Sequence, residues 1–80
     1  MVLKIKLCNA DDVVAFSSKC KEYKNVDIDY VYGRYFLDCK SIVGLLSTEL
    51  NKPCDIKFNS DDKDICERFK EDIEKWIYEK

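Results

Sequence analysis

The side chains most able to do chemistry in this 80-residue chain are five cysteines, an aspartate pair and a serine preceded by a lysine. The chain contains no histidine. Because nucleophilic cysteines and serines are commonly activated by an imidazole base, cysteine-histidine catalysis is excluded. The pair Asp11-Asp12 has no third ligand nearby in sequence and is better interpreted as first-turn helix charge. We expect neither enzymatic activity nor a cofactor.

The cysteine spacing indicates a reduced, metal-free protein. Zinc sites usually contain close cysteine pairs, and no Cys-x-x-Cys motif occurs here. An odd number of cysteines also argues against a disulfide framework. We expect most of them to be small buried apolar side chains, and no specific pattern favours a redox thiol. The five residues are Cys8, Cys20, Cys39, Cys54 and Cys66.

The charge balance restricts the classes of partner. Sixteen acidic and fourteen basic residues give a net charge of -2, and the two signs are mixed along the chain. Nucleic-acid binding needs a basic field, so we expect no nucleic-acid partner. No apolar run is long enough to span a bilayer, and the first residues lack the pattern of a signal peptide. We therefore expect a cytoplasmic protein without a membrane partner.

Four segments alternate between apolar and polar residues, which predicts strands at 2–7, 26–30, 34–38 and 54–58. Gly33 separates the second and third of them and predicts a hairpin turn. Four aromatic residues around this turn could form a stacking platform for bases. Without surrounding positive charge, cross-strand packing is the better interpretation. These residues are Tyr30, Tyr32, Tyr35 and Phe36.

Three segments have helical spacing. The first runs over residues 10–22 after Asn9, a good N-cap, and the second over 41–48 after the cap Ser41. Gly44 lies inside the second helix, where glycine is unfavourable, so we expect a close approach at that position. The third begins after Ser60 or Asp61. Its predicted apolar stripe, with the tryptophan as a core anchor, is Ile65, Phe69, Ile73, Trp76 and Ile77.

The predicted order of elements is β-α-β-β-α-β-α. Strands with one apolar face need a cover on that face, and three amphipathic helices can supply it. We therefore predict a single α+β domain over residues 1–80. Its architecture is an open-faced β-sandwich, in which a four-stranded antiparallel sheet carries three helices on one face.

This order, together with two short stretches, resembles the HPr family of the bacterial sugar phosphotransferase system. The stretches are Gly33-Arg34-Tyr35 and the run Asp38-Cys39-Lys40-Ser41-Ile42-Val43-Gly44-Leu45-Leu46-Ser47. Family members carry a similar Lys-Ser-Ile-x-Gly-x-x-Ser-Leu signature. The chain is similar in particular to a short HPr-like branch of Gram-positive bacteria that lacks the phosphorylation histidine. The resemblance implies an HPr-like fold.

The resemblance also implies that phosphate is not carried in the way the family carries it. Carrier members hold phosphate on a histidine at the start of the first helix, within a Gly-x-His-x-Arg-Pro type sequence. The matching stretch here contains Asn9, Ala10, Asp11 and Asp12, and histidine, arginine and proline are missing. The two carboxylates repel a phosphoryl group. An aspartyl phosphate on this pair, or a cysteinyl phosphate on Cys8, is the remaining alternative.

Ser41 matches the regulatory serine of the family. In Gram-positive members a dedicated kinase phosphorylates that serine, and the product is a corepressor in carbon catabolite repression. A phosphoserine at a helix N-cap is electrostatically favourable. The resemblance further implies a partner-docking surface of Lys40, Ile42, Val43 and Leu46. From the residues alone, Ser41 is an unmodified cap and Lys40 a surface charge.

The sequence therefore predicts a non-catalytic, HPr-like protein with a binding or regulatory role and Ser41 as its regulatory phosphorylation site. Its expected partners are proteins: components of the phosphotransferase system, a serine kinase or a transcriptional regulator. Two alternatives stay open. One is phosphotransfer on an aspartate or cysteine, and the other is an interaction or homodimerisation module unrelated to sugar transport.

Overall fold

The structure, a computed structural model, describes residues 1–78 and is an α+β domain. Within these residues it contains a four-stranded antiparallel sheet and three α-helices, as predicted. The elements are β1 (Val2–Lys6), α1 (Ala10–Lys21), β2 (Asp27–Tyr32), β3 (Tyr35–Asp38), α2 (Ile42–Leu46), β4 (Pro53–Asn59) and α3 (Lys63–Asp72), followed by a 3-10 turn (Glu74–Trp76). No helix in this part of the chain is long and apolar enough to cross a membrane.

The sheet has the strand order β1-β4-β2-β3, and every neighbouring pair is antiparallel. Alternation along the strands separates a core face from an open face. The core face of the strands contributes Ile5, Ile28, Tyr30, Ile56 and Phe58 to the buried cluster. The three helices contribute Phe16, Leu45 and Phe69 to that same cluster. The core is therefore a single layer between the sheet and the helices.

The turn between β2 and β3 is the predicted hairpin. Gly33 has a φ of +61°, which glycine adopts at little cost, and Tyr32 pairs with Tyr35 across the two-residue turn. β2 starts one residue later than predicted and extends to Tyr32. The aromatic residues next to the turn belong to the strands.

The third helix differs from its prediction at both ends. Its N-cap is Asp62, whose carboxylate accepts from two backbone amides, so neither Ser60 nor Asp61 caps it. The helix ends at Asp72, and Ile77 forms an antiparallel bridge with Ile5 of β1. A continuous helical stripe to Ile77 is therefore wrong. The chain leaves the helix because its last described residues pair with the edge of the sheet.

Opposite charges at helical spacing on α3 do not form ion pairs. Within residues 1–78 the ion pairs are Lys4 with Asp55 at 3.1 Å and Lys52 with Glu49 at 3.2 Å. Long exposed side chains gain little from pairing in water, because ordering them offsets the Coulomb attraction. The charges on the outer side of α3 are simply solvated.

Aromatic rings dominate the core between the sheet and α3. Phe58 and Phe69 are stacked with their centroids 4.4 Å apart, and Tyr23 meets both rings edge-on. Trp76, only 5% exposed, packs edge-on against Phe16, which confirms its predicted anchoring position. Such pairs add to the stabilisation that ring burial already provides.

The Tyr23 hydroxyl donates a hydrogen bond of 2.6 Å to Asp72 at the end of α3. We expect Tyr23→Phe to lower the free energy of unfolding by about 1–2 kcal/mol near neutral pH, because the hydrogen bond is lost while the ring remains. Burial, followed by this hydrogen bond, raises the pKa of Tyr23 above its ordinary value of 10. The folded state therefore holds the phenol proton more tightly than the unfolded state.

The sign of the pH dependence follows from this raised pKa. The contribution of Tyr23 is complete below the pKa of an unfolded tyrosine, near 10, and is lost as the pH rises beyond it. Urea titrations of the wild type and Tyr23→Phe from pH 7 to 11 measure the difference between their free energies of unfolding. This difference should be constant up to about pH 9 and should shrink above pH 10. A difference that grows with alkaline pH would contradict the assignment.

Candidate functional site

The first turn of α1 is occupied by its own capping groups. The Asn9 side chain accepts a hydrogen bond of 2.9 Å from the Asp12 amide, and the Asp12 carboxylate accepts one of 3.0 Å from the Cys8 amide. The first bond satisfies the Asp12 amide, one of the donors that a helix N-terminus leaves open, and the second ties the residue before the cap to the first turn. Asn9 is confirmed as the cap. Ala10 and Asp11 are exposed beside it.

This geometry gives an anion little to bind. The amide of Asp12, which an anion could use, donates instead to Asn9, and two carboxylates add negative charge to the same turn. No arginine or lysine lies between Leu7 and Ser18. The side chains at the N-terminus of α1 therefore cap the helix.

The cysteines lie in three different environments. Cys20 and Cys39 are fully buried, Cys54 and Cys66 are partly buried, and Cys8 is exposed. A hydrogen bond with Cys20, followed by burial, raises the pKa of Cys39 far above that of an ordinary thiol. Nucleophilic and metal-ligating chemistry uses the thiolate, which this environment disfavours. Within residues 1–78, no three His, Cys, Asp or Glu side chains form a metal-binding group.

Ser41 lies on the surface at the N-cap of α2. Its backbone is extended, and its hydroxyl accepts a hydrogen bond of 3.2 Å from the Gly44 amide. No acidic residue lies in the first turn of this helix. Ser41 is exposed and therefore accessible, whereas the N-terminus of α1 is capped by Asn9 and has two carboxylates in its first turn.

The structure explains why a glycine is present at position 44 of α2. A Cβ atom there would lie 3.2 Å from the Ser41 hydroxyl oxygen and 3.6 Å from the Ser41 Cβ. The glycine thus leaves room directly over the capping side chain. This is the close approach that its position inside a helix predicts.

Helix α2 presents apolar side chains to solvent. Val43 is 80% exposed and Leu46 is 43% exposed, whereas Leu45 is fully buried against the core. Ile42 is half-buried and packs against the core cluster. We call Ser41, Val43 and Leu46 the α2 surface. Of the apolar residues assigned to docking, only Val43 and Leu46 are largely accessible.

Lys40 has an intramolecular role that its sequence position does not reveal. Its ammonium donates hydrogen bonds of 2.8 Å to the carbonyls of Tyr23 and Val26, in the connection from α1 to β2. Its own amide donates to the Asp38 carboxylate at 2.9 Å. Lys40 thus ties the start of α2 to the end of α1.

The structure separates the predicted site residues into two groups. Asn9 to Asp12 form the cap and first turn of α1, and Ser41 caps α2 (Ile42–Leu46), which packs against α1 and β3. The segment after α2 returns towards α1, where the Asn51 amide donates to the Leu7 carbonyl. No hydrogen bond or ion pair in residues 1–78 joins Ser41 to the α1 cap.

The four aromatic residues of the hairpin do not form one platform. Alternation and register place Tyr30, Tyr32 and Tyr35 on the core face and Phe36 on the open face, opposite Val31. Tyr30 is only 1% exposed. Cross-strand packing, as the sequence interpretation held, describes them better than a stacking surface.

A shallow cleft of about 260 Å³ lies between the end of α1 and α3. Sequence patterns gave no sign of it, because it forms where Tyr23 and Val26 meet Ile65 and Arg68 from a distant helix. Its charged lining is mixed, with Glu22 beside Lys24. It contains none of the predicted site residues.

Comparison with known proteins adds no family assignment. No family model matches the chain, and no curated protein matches it.

Proposed function

We propose that this protein is a histidine-free, HPr-like binding protein of the cytoplasm, in which the α2 surface docks a protein partner and Ser41 is the regulatory switch. The HPr-like character rests on the sequence resemblance. It is supported by an α+β domain with one antiparallel sheet of strand order β1-β4-β2-β3. The proposed partners are components or regulators of the sugar phosphotransferase system.

The observation that carries the proposal is the exposure of the α2 surface. Val43 and Leu46 are exposed on a five-residue helix, whereas its other large apolar side chains, Ile42 and Leu45, pack against the core. Apolar side chains at a protein-protein contact lose water on binding and stabilise the complex. An accessible hydroxyl on the same helix, at Ser41, can change the charge of this surface directly.

A phosphate on Ser41 fits the local electrostatics. It would lie at the positive end of α2, near the Gly44 amide, where the helix contributes no competing carboxylate. The absence of a side chain at Gly44 leaves space for it. Lys40 is bound to two carbonyls, so the favourable interaction comes from backbone amides and the helix dipole.

Phosphate transfer through α1 has less support. The family's carrier position is occupied by Asn9 and Ala10, and the first-turn charge is negative. The nearby thiol, Cys8, has no basic side chain among its hydrogen-bond or ion-pair partners in residues 1–78. In the part of the chain that the structure describes, no ion pair or hydrogen bond brings a lysine or arginine to either acceptor.

Incubation with the serine kinase of the phosphotransferase system and ATP, followed by intact-mass measurement, tests the switch. We expect one added phosphate on the wild type and none on Ser41→Ala. Ser47→Ala is the matched control, because Ser47 is an exposed serine at the opposite end of α2. It should be phosphorylated like the wild type. An unmodified wild type, or phosphate persisting on Ser41→Ala, would refute the switch.

A further inference from the structure

The two edges of the sheet differ in how they are covered. Beside β1, Ile77 forms a bridge with Ile5, and the Tyr78 amide donates a hydrogen bond of 2.8 Å to the Lys4 carbonyl. Beside β3, no strand or bridge is present within residues 1–78. An uncovered edge presents unpaired backbone donors and acceptors, which are a template for another strand. β3 is such an edge.

The register of the hairpin shows which backbone groups of β3 point outward. Tyr35 closes the turn opposite Tyr32, and the Cys39 amide donates to the Ile28 carbonyl at 3.0 Å. In an antiparallel pair, hydrogen-bonded positions alternate along the strand. The backbone amide and carbonyl groups of residues 35, 37 and 39 therefore point towards β2. The amide and carbonyl groups of Phe36, and the amide of Asp38, face away from the sheet.

Two aromatic side chains on this edge are largely exposed. Tyr35 is 63% exposed and Phe36 is 60% exposed. Lysine, proline and bulges, which often protect free edges, are absent along Tyr35–Asp38, so the only protection of this edge within β3 is its length of four residues and the charge of Asp38. The ammonium of Lys57 of β4 lies over the Phe36 ring, 5.0 Å from its centre.

We propose that two copies of the chain associate through their β3 edges, antiparallel and with Phe36 at the two-fold axis. This register makes a continuous sheet across the two copies. Phe36 then lies opposite Phe36 of the second copy, and the two residues exchange both of their backbone hydrogen bonds. Tyr35 lies opposite Leu37. The contact is isologous, so it closes as a dimer.

Charge complementarity favours a second copy as the partner. Arg34 lies in the turn directly before β3 and Asp38 is the last residue of β3, each two residues from Phe36. In the proposed register, the turn that carries Arg34 of one copy therefore lies beside Asp38 of the other. Arg34 is exposed and forms no ion pair within the described residues. The contact therefore gains two opposite-charge pairs related by the same axis.

The isolated chain also carries a repulsion that this contact relieves. Asp38 lies directly opposite Asp29 on β2, and like charges in opposing positions are destabilising. Asp29 is hydrogen-bonded to Asn59, at 3.2 Å, and lies opposite Lys57 of β4, whereas within residues 1–78 the Asp38 carboxylate accepts a hydrogen bond only from the Lys40 amide. An arginine from the second copy would supply the missing positive charge beside Asp38.

Analytical ultracentrifugation from about 10 µM to about 1 mM tests the dimer, a range chosen because so short an edge belongs with interfaces below about 1,200 Å², which bind weakly. We expect a concentration-dependent dimer. Arg34→Asp and Asp38→Arg should each be monomeric, because each places like charges opposite one another. An equimolar mixture of the two variants should associate again, since both cross pairs are then complementary.

A double variant of the α2 surface, Val43→Ser with Leu46→Ser, is the control and should dimerise like the wild type. Circular dichroism of each variant separates loss of association from loss of folding, and recovery in the mixture shows that both variants are folded. A monomeric wild type at every concentration overturns the proposal. It is also overturned if the α2 variant abolishes association, or if the mixed charge variants stay monomeric.

Discussion

Replacement of Phe69 by alanine is expected to lower the free energy of unfolding by about 3–5 kcal/mol, the range for removing a fully buried aromatic ring. Phe69 has no exposed surface, stacks on Phe58 and contacts Tyr23 edge-on. A domain of this size has little stability to spare, since total values are about 5–15 kcal/mol and small domains lie low in that range. Urea unfolding followed by Trp76 fluorescence measures the loss.

Phe36→Ala is the matched control for this prediction, because it removes the same side chain from an exposed position. Phe36 is 60% exposed and contacts the Lys57 ammonium on the open face. Its loss should cost well under 1 kcal/mol when measured on dilute protein, where the β3 edge is unpaired. Equal losses for the two variants would show that the core is not where the structure places it.

Replacement of Lys40 by methionine is expected to lower the free energy of unfolding by about 2–3 kcal/mol. Methionine keeps most of the apolar stem but removes the ammonium that bonds to the carbonyls of Tyr23 and Val26. These carbonyls lie in a partly buried position, so the variant leaves acceptors that water replaces incompletely. The same urea titration measures the difference.

Lys24→Met provides the comparison within the same connection. Lys24 is exposed and forms no ion pair within residues 1–78, so its replacement should change stability by less than about 0.5 kcal/mol. If Lys40→Met were as stable as Lys24→Met, the hydrogen bonds from the Lys40 ammonium to the two carbonyls would contribute nothing to the free energy of unfolding. A destabilised Lys40→Met would also require any docking test at Lys40 to separate binding from folding.

Local patterns predicted much of this fold because they act over a few residues. Polar alternation located the four strands, Asn9 and Ser41 were recognisable as caps, and Gly33 marked the hairpin turn. Each of these features depends on neighbours in sequence. The same is true of the exposed serine, whose position before α2 follows from its capping preference.

Contacts between distant segments could not be predicted in this way. The end of α3 at Asp72 is set by pairing of Ile77 with β1, and helical periodicity carries no information about that edge. Lys40 has the sequence context of a surface charge, but its two acceptors lie 17 and 14 residues away. The open edge of β3 likewise became visible only from the strand order.

The short bridge between Ile77 and β1 affects which edge of the sheet can pair with a strand of another molecule. The bridge and the hydrogen bond from the Tyr78 amide to the Lys4 carbonyl cover part of the β1 edge, whereas β3 has no such cover within residues 1–78. The proposed association through the β3 edge alone would give a finite particle. If the bridge were lost, each molecule would offer two templates, and end-to-end addition could continue into fibres. This bridge therefore reduces the backbone surface through which molecules joined by the proposed β3 contact could add end to end.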